Sequence, residues 1–221
     1  MNTKPFAVAI DGPAGVGKST TAKEVAKTLG MKYVDTGSMY RAIALYCIKN
    51  NIDPKDETAV AAILSNIEIT LLPGQILLNG EDVTKDIRDR LVTDVSSIVS
   101  PYPAVRAKLA AKQKEIVATY ETVMDGRDIG SHVIPWAQVK IYLDADVEIR
   151  AARRAIELEK DGKPVDMKNL CLEIAERDHR DKTRKHSPLV KAEDAIYIDT
   201  GNFTKDEVVA QIIAHINATR R

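Results

Sequence analysis

The stretch that most limits what this chain can become is Gly12-Pro13-Ala14-Gly15-Val16-Gly17-Lys18-Ser19, which fits the pattern G-x-x-x-x-G-K-[ST]. A short apolar run, Phe6-Ala7-Val8-Ala9-Ile10, precedes it, and Thr20 to Leu29 follows with Ala22, Val25, Ala26 and Leu29 at helical spacing. Strand, glycine loop and helix in that order are the context in which the pattern marks a phosphate site. Glycines let successive backbone N–H groups turn inward onto phosphate oxygens, and the helix adds the positive end of its dipole. Lys18 is placed to reach β and γ phosphates, and the Ser19 hydroxyl suits Mg²⁺. Pro13 has no N–H to give, so it shapes the loop instead of donating to it. The full motif and both flanks weigh against a plain glycine turn with a surface lysine.

Further along, Lys32-Tyr33-Val34-Asp35 reads as a second strand, with Ser38 the expected N-cap of a helix over Met39–Ile48. Asp53-Pro54 opens another helix, carrying Val60, Ile63 and Leu64. The texture then changes: Ile67 to Leu72, a Pro73-Gly74 turn and Gln75 to Gly80 form a hairpin signal, and Glu81 to Thr84 adds a third short strand. Local antiparallel pairing in a chain that otherwise alternates strand and helix predicts an insert, roughly from Thr36 to Pro103. Helical pattern resumes over Leu91–Ser100, breaks at Pro101 and Pro103, and continues from Ala104 to Ala118. Glu121–Asp125 is a buried strand leading into Gly126-Arg127-Asp128-Ile129-Gly130. Val139–Asp144 and Ala195–Asp199 are the last two strands, with a charged, mostly helical segment from Ala145 to Arg184 between them. A final helix over Lys205–Ala218 carries Val208, Val209, Ile212, Ile213 and Ile216 on one face. Five short β-runs separated by helices call for a parallel sheet covered on both faces. Such sheets bind ligands at the carboxyl ends of their strands, where Asp35, Asp125, Asp144 and the glycine loop all fall.

Composition bounds the function class. At 221 residues the chain suits one α/β domain with embellishments, and an apolar fraction of 44% supports a real core. Lys+Arg and Asp+Glu both number 32, so no global field draws in nucleic acid or membrane. Cys47 and Cys171 form no C-x-x-C pair, and Cys47 sits in an apolar helical stretch as a small core residue. The N-terminal residues lack a signal-peptide apolar region, and no later stretch is long enough to span a bilayer. The expectation is a soluble, cytoplasmic monomer with reduced thiols.

Arginines are spread unevenly. Arg41 follows Asp35-Thr36-Gly37-Ser38-Met39-Tyr40, Arg106 lies after Pro103, and Arg127-Asp128 follows the Asp125 strand end. Arg150, Arg153 and Arg154 open the charged segment, and Arg177, Arg180, Asp181 and Arg184 close it at i, i+3, i+4 and i+7, one helical face. For Arg180 or Glu157–Lys160 a solvated charged face suffices, at a few tenths of a kcal/mol per pair. For the set, phosphoryl transfer between two anions is the better reading, because planar guanidinium forks bind phosphate oxygens in pairs. A charged helical segment between two core strands also has the character of a closing lid that excludes water.

These segments together resemble the bacterial cytidylate kinase family. The resemblance rests on Ala9 to Ser19, Asp35 to Arg41, Asp125 to Gly130 and Glu176-Arg177-Asp178-His179-Arg180-Asp181, in the family's order and over nearly the whole chain. It implies a P-loop NTPase-type α/β fold: a parallel five-stranded sheet flanked by helices, an antiparallel β-containing insert that binds the nucleoside monophosphate, and a short helical lid. Residues 1–35, 104–149 and 185–221 would form the core, 36–103 the insert and 150–184 the lid of one compact kinase unit. The implied reaction is ATP-dependent phosphorylation of CMP and dCMP, with ATP and Mg²⁺ as cofactors and no nucleic-acid or membrane partner. By the same resemblance, Gly12, Pro13, Ala14, Gly15, Val16, Gly17, Lys18, Ser19 and Thr20 hold ATP with Arg153 from the lid, and Ser19 holds the metal. Arg41, Arg127 and Arg184 are implied ligands of the acceptor phosphate, with Asp35 and Thr36 beside them. Arg177 and Asp181 are implied ribose contacts, and Ser97, Arg106 and Asp128 the readers of the cytosine edge, with Ser96 and Ser100 close to Ser97. Lys18, Arg127, Arg184 and Asp128 make up the implied catalytic group.

A phosphate acceptor is already ionised at neutral pH, so no strong general base is assigned, and His132, His179, His186 and His215 read as non-catalytic. No long apolar strand ends in the Asp-Glu pair of a hydrolytic ATPase, so metal ligands beyond Ser19 are not legible. A GTP-binding switch needs an N-K-x-D motif, which is absent. A nucleic-acid motor wants a basic tract or stacking aromatics, and aromatics are only 5% of this chain. The runner-up is a kinase of the same fold for another monophosphate or a metabolite.

Overall fold

Ala7–Asp11 (β1) is buried at every position, which a strand achieves only inside a sheet covered on both faces. Thr122–Gly126 (β6) is buried throughout as well, and Val139–Asp144 (β7) at all but its last residue. β1 runs parallel to β6, placing Asp11 opposite Gly126, and parallel to β7, placing Asp11 opposite Tyr142. Ile196–Asp199 (β8) extends the sheet beside β7, and Lys32–Asp35 (β2) forms the other edge, giving the order β2-β6-β1-β7-β8. The structure is a computed structural model that describes residues 4–160, 162 and 164–221. It falls into two units, Met1–Tyr33 with Tyr120–Arg221, and Val34–Thr119.

In the first unit, Lys18–Leu29 (α1) and Lys205–Thr219 (α8) bury their apolar stripes with the sheet, joining Val25 and Ala26, and Val208, Ile212 and Ile216, to Val8, Ile10, Val123, Ile141 and Leu143. Thr204 starts α8 with a reciprocal capping box to Glu207. Val147–Lys160 (α6) and Met167–Thr183 (α7) pack on each other through Ala151, Ala155, Leu170 and Ile174. Arg184 is the C-cap of α7: its amide still donates to the Arg180 carbonyl at 3.1 Å, so its side chain leaves on the helical face of Asp181, 3.9 Å from that carboxylate, as the spacing predicts, and the chain turns extended only after it.

The second unit has a core of its own. Thr36–Lys49 (α2), Glu57–Ile63 (α3), Arg90–Val99 (α4) and Pro103–Thr119 (α5) accompany the antiparallel strands Ile69–Leu72 (β3), Gln75–Leu78 (β4) and Glu81–Asp82 (β5). Met39, Ile43, Ile69, Ile76, Ile87, Val99 and Leu109 are among the side chains that close it. The hairpin and its short third strand match the sequence reading. Two helix starts do not. Asp35, not Ser38, caps α2, because its carboxylate reaches the Ser38 amide at 2.8 Å. Asp56, not Asp53, caps α3, while Asp53 accepts from the Asp56 amide in the turn before it. α5, which the sequence reading grouped with the core, falls within the second unit.

Candidate active site

The glycine loop leaves the sheet from its central strand. Gly12 has φ 148°, and a Cβ there would stand 2.0 Å from the Leu143 carbonyl oxygen on β7, so only glycine lets the loop start so close to the sheet. Gly17, at φ 86°, turns the chain into α1 from the left-handed region. Pro13 and Val16 are buried beneath the loop, while Gly15, Gly17, Ser19 and Thr20 are exposed and Ala14 is half-buried. Lys18 is buried, and its ammonium donates to the Pro13 carbonyl. Burial depresses its pKa well below the ordinary lysine value; Arg127 and Arg177 add to this, and Asp125 and Asp11 oppose it.

Ser19 donates to the Asp125 carboxylate at 2.7 Å, and the Tyr33 hydroxyl donates to its other oxygen at 3.1 Å. Sequence reasoning treated Asp125 only as a strand end. Its sequence signal is a buried apolar strand ending in an acid. Asp11, the last residue of β1, carries no signal in the sequence beyond its place before the glycine loop. Its two carboxylate oxygens accept from the Ile129 and Gly130 amides at 2.9 and 2.7 Å. Burial pushes its carboxyl up to about 6, against those two hydrogen bonds, and the charge of Asp128 pushes the same way.

Arg127 and Asp128 lie in the loop after β6, next to the glycine loop because β6 is next to β1. Arg127 Nε donates to Asp181 at 2.9 Å, and Arg184 to Asp128 at 3.3 Å between side chains that are each only 6% exposed. Burial by itself would raise the Asp181 carboxyl, but Arg127, Arg177 and Arg184 hold it below its ordinary value. The structure thus brings Lys18, Arg127, Asp128, Asp181 and Arg184 into one charged cluster, with Arg177 near enough to act on Lys18 and Asp181.

Two arginines of α6 have partners within the fold. Arg153 donates to the Thr200 hydroxyl at 3.0 Å and to the Thr200 carbonyl at 2.6 Å. Thr200 itself bonds the Val16 and Asp144 carbonyls at 3.2 and 3.1 Å, so this arginine ties α6 to the loop after β8. Arg150 is buried, donating to the Ala14 carbonyl at 3.0 Å and pairing with Asp178 at 2.6 Å. Neither Thr200 nor the Arg150–Asp178 pair was singled out from sequence. Thr200 stands just past a strand end, the same signal that marked Asp35 and Asp125.

Within the second unit, Arg41 reaches Asp35 at 3.3 Å, and Arg88 shares the same oxygen at 3.5 Å. Thr36, the first residue of α2, is buried. Arg106 is buried on α5, donates to the Ser100 carbonyl at 3.2 Å and lies over the Tyr40 ring at 5.7 Å. Ser96 points into the core, whereas Ser97 is half-buried, with its hydroxyl 3.3 Å from the Thr93 carbonyl.

A phosphate loop beside an arginine–carboxylate cluster suits transfer of a phosphoryl group between anionic substrates. Comparison with known proteins decides which. The family model for cytidylate kinase matches residues 8–218. The chain belongs to the cytidylate kinase family. Among curated cytidylate kinases, that of Listeria welshimeri is 48% identical over 215 residues, covering 96% of each chain. Those of Desulforamulus reducens and Pediococcus pentosaceus are 47% and 46% identical, the first over 97% of this chain and 98% of its own, the second over the whole of both. Among solved structures, a gluconokinase from Sinorhizobium meliloti shares the fold at TM-score 0.50 and 13% identity, over 97% of this chain and 93% of its own. A member of the cytidylate kinase family is a kinase, a transferase that uses ATP on a small nucleotide substrate. No helix among the described residues is long and apolar enough to cross a membrane.

The donor set at the loop of this cytidylate kinase relative fits a magnesium ion. Ser19 and Asp125 offer two hard oxygens 2.7 Å apart, and no cluster of three His, Cys, Asp or Glu side chains competes among the described residues. Mg²⁺ favours such sparse protein ligation, completing its shell with phosphate oxygens and water.

Proposed function

We propose that this chain transfers the γ-phosphoryl group of ATP to CMP and dCMP, giving CDP and dCDP, and that the residues divide the work as follows. Gly12 to Thr20 cradle the ATP phosphates. Lys18 exchanges the neutral Pro13 carbonyl for phosphate oxygens, whose charge offsets the burial that depresses its pKa. Ser19, with Asp125, would hold Mg²⁺, which supplies charge neutralisation between the phosphates. Arg41, Arg127 and Arg184 bind the acceptor phosphate, and Asp35 orients Arg41. Arg177 and Asp181 hold the ribose. Asp128 accepts from the cytosine exocyclic amine, while Arg106 and Ser97 address the rest of the base edge. Arg153 contacts ATP from a position fixed by Thr200, which also bonds the Val16 carbonyl of the phosphate loop. Residues 150–184 form the lid, and the protein works as a cytoplasmic monomer with no nucleic-acid partner.

The observation that carries this reading is the buried pair between Asp128, in the loop next to the phosphate loop, and Arg184 at the end of α7. Uracil in place of cytosine puts O4 before Asp128 and an N–H before a guanidinium. Each charged group that loses its partner costs on the order of 1–3 kcal/mol, together roughly a hundredfold to ten-thousandfold against UMP. The test is a coupled ADP-release assay across the common nucleoside monophosphates, repeated on Asp128→Ala. CMP and dCMP should be the preferred acceptors, and the variant should lose kcat/KM for CMP while UMP changes little. An equal fall for both substrates would leave Asp128 as scaffolding.

A further inference from the structure

We infer that Asp11 is a positioning residue for the acceptor: held by the strand that launches the phosphate loop, its carboxylate sets the backbone that presents Arg127 and Asp128. This rests on the reading of Asp128 as the reader of the acceptor base.

The geometry is specific. Asp11 ends β1, with its backbone between Gly126 of β6 and Tyr142 of β7, and its side chain is buried. Its two oxygens take the amides of Ile129 and Gly130, the residues directly after Asp128. Those amides open a wide turn over Ile129–Val133, in which the Asp128 carbonyl accepts from the His132 and Val133 amides. The first N–H groups of any helical turn have no partner within it. Here they are deep in the fold, and one side chain satisfies both. Only a carboxylate offers an acceptor on each of two oxygens; asparagine would turn an NH₂ toward one of the two donors.

Placing an acid here has a cost, since it is buried beside the like charge of Asp128. Lys18 of α1 is the counter-charge, and Tyr142 of β7 also faces it. Its carboxyl, pushed up to about 6, is still ionised at neutral pH and accepts through both oxygens. Asp11 is also the residue before Gly12. One side chain therefore sets a fixed offset between the start of the loop that holds ATP and the segment that holds the acceptor. A one-ångström error in that offset is the kind that costs about a hundredfold in rate.

The test is Asp11→Asn in the full chain, run in parallel with Asp128→Ala. Positioning predicts that KM for CMP rises by about tenfold or more and that the CMP-over-UMP preference narrows, as expected when a group that meets only the acceptor is displaced. KM for ATP should stay within about threefold, because the loop backbone that cradles the ATP phosphates keeps its path. Amide exchange at Ile129 and Gly130 should accelerate relative to β6. If Asp128→Ala collapses base preference and Asp11→Asn does not, the positioning role is wrong. If both leave the preference intact, the base-reading assignment fails, and Asp11 stands or falls on KM for CMP and the two amides. Parallel losses for ATP and CMP would mean general damage and would also overturn it. Should Asp11→Asn not fold, the wild-type protein answers: the Ile129 and Gly130 amide proton shifts must titrate with the Asp11 carboxyl, and independent movement overturns the proposal.

Discussion

Lys18 carries a charge that its surroundings disfavour. It is buried, Arg127 and Arg177 lie close enough to repel it, and its hydrogen-bond partner is the neutral Pro13 carbonyl. Its ammonium therefore adds little to the stability of the fold and much to the binding of a developing negative charge. Lys18→Ala should lower kcat by about 10²–10³-fold, the effect of losing one preorganised donor at a reacting centre. Circular dichroism and the melting curve should stay close to wild type. Retained turnover would take the ammonium out of the mechanism.

At the scale of elements, one arginine ties α6 both to α7 and to the phosphate loop. Arg150 on α6 and Asp178 on α7 form a buried pair, and the same guanidinium reaches the Ala14 carbonyl of the phosphate loop. The second carboxylate oxygen of Asp178 has no hydrogen-bond partner among the described residues, so the acid depends on Arg150. Removing one member of such a pair costs about 3–5 kcal/mol, whereas replacing both with apolar side chains is often neutral. Arg150→Ala should lower the urea midpoint accordingly and raise KM for ATP. Arg150→Met with Asp178→Leu should recover most of the stability but not the ATP affinity, which equilibrium unfolding and steady-state kinetics will separate.

For the whole molecule, buried charge gives stability a pH dependence with a readable sign. Asp11 holds its proton up to about pH 6 when folded, against an ordinary value of 3.8. Between those values the unfolded chain binds fewer protons at this residue, so its contribution to stability falls as pH rises from about 4 to 6, by about 3 kcal/mol at most. Asp181, held below its ordinary value, acts in the opposite sense: its contribution is present at neutral pH and lost on acidification below the ordinary range. Urea unfolding at a series of pH values should show the Asp11 loss in wild type and not in Asp11→Asn. An identical pH dependence in the two proteins would place the titrating group elsewhere.

What the sequence determined by itself is whatever depends on near neighbours in the chain. Val139–Asp144 is legible at its observed bounds because it is apolar but for Lys140 and ends in an acid. The glycine loop, the hairpin around Pro73-Gly74 and the apolar face of α8 are legible for the same reason. Even locally, choice among equals was lost: Asp35 and Ser38 are both good caps, and only the backbone path shows that the Asp35 carboxylate meets the Ser38 amide. The tertiary structure alone decided the long-range partnerships. Asp11 meets Ile129 across 118 residues, Ser19 meets Asp125 across 106, and Arg153 meets Thr200 across 47. Strand order brings these groups together, since β1 is flanked by β6 and β7. A buried polar group must find a partner to avoid losing its hydration, but sequence spacing does not say which distant residue that partner is.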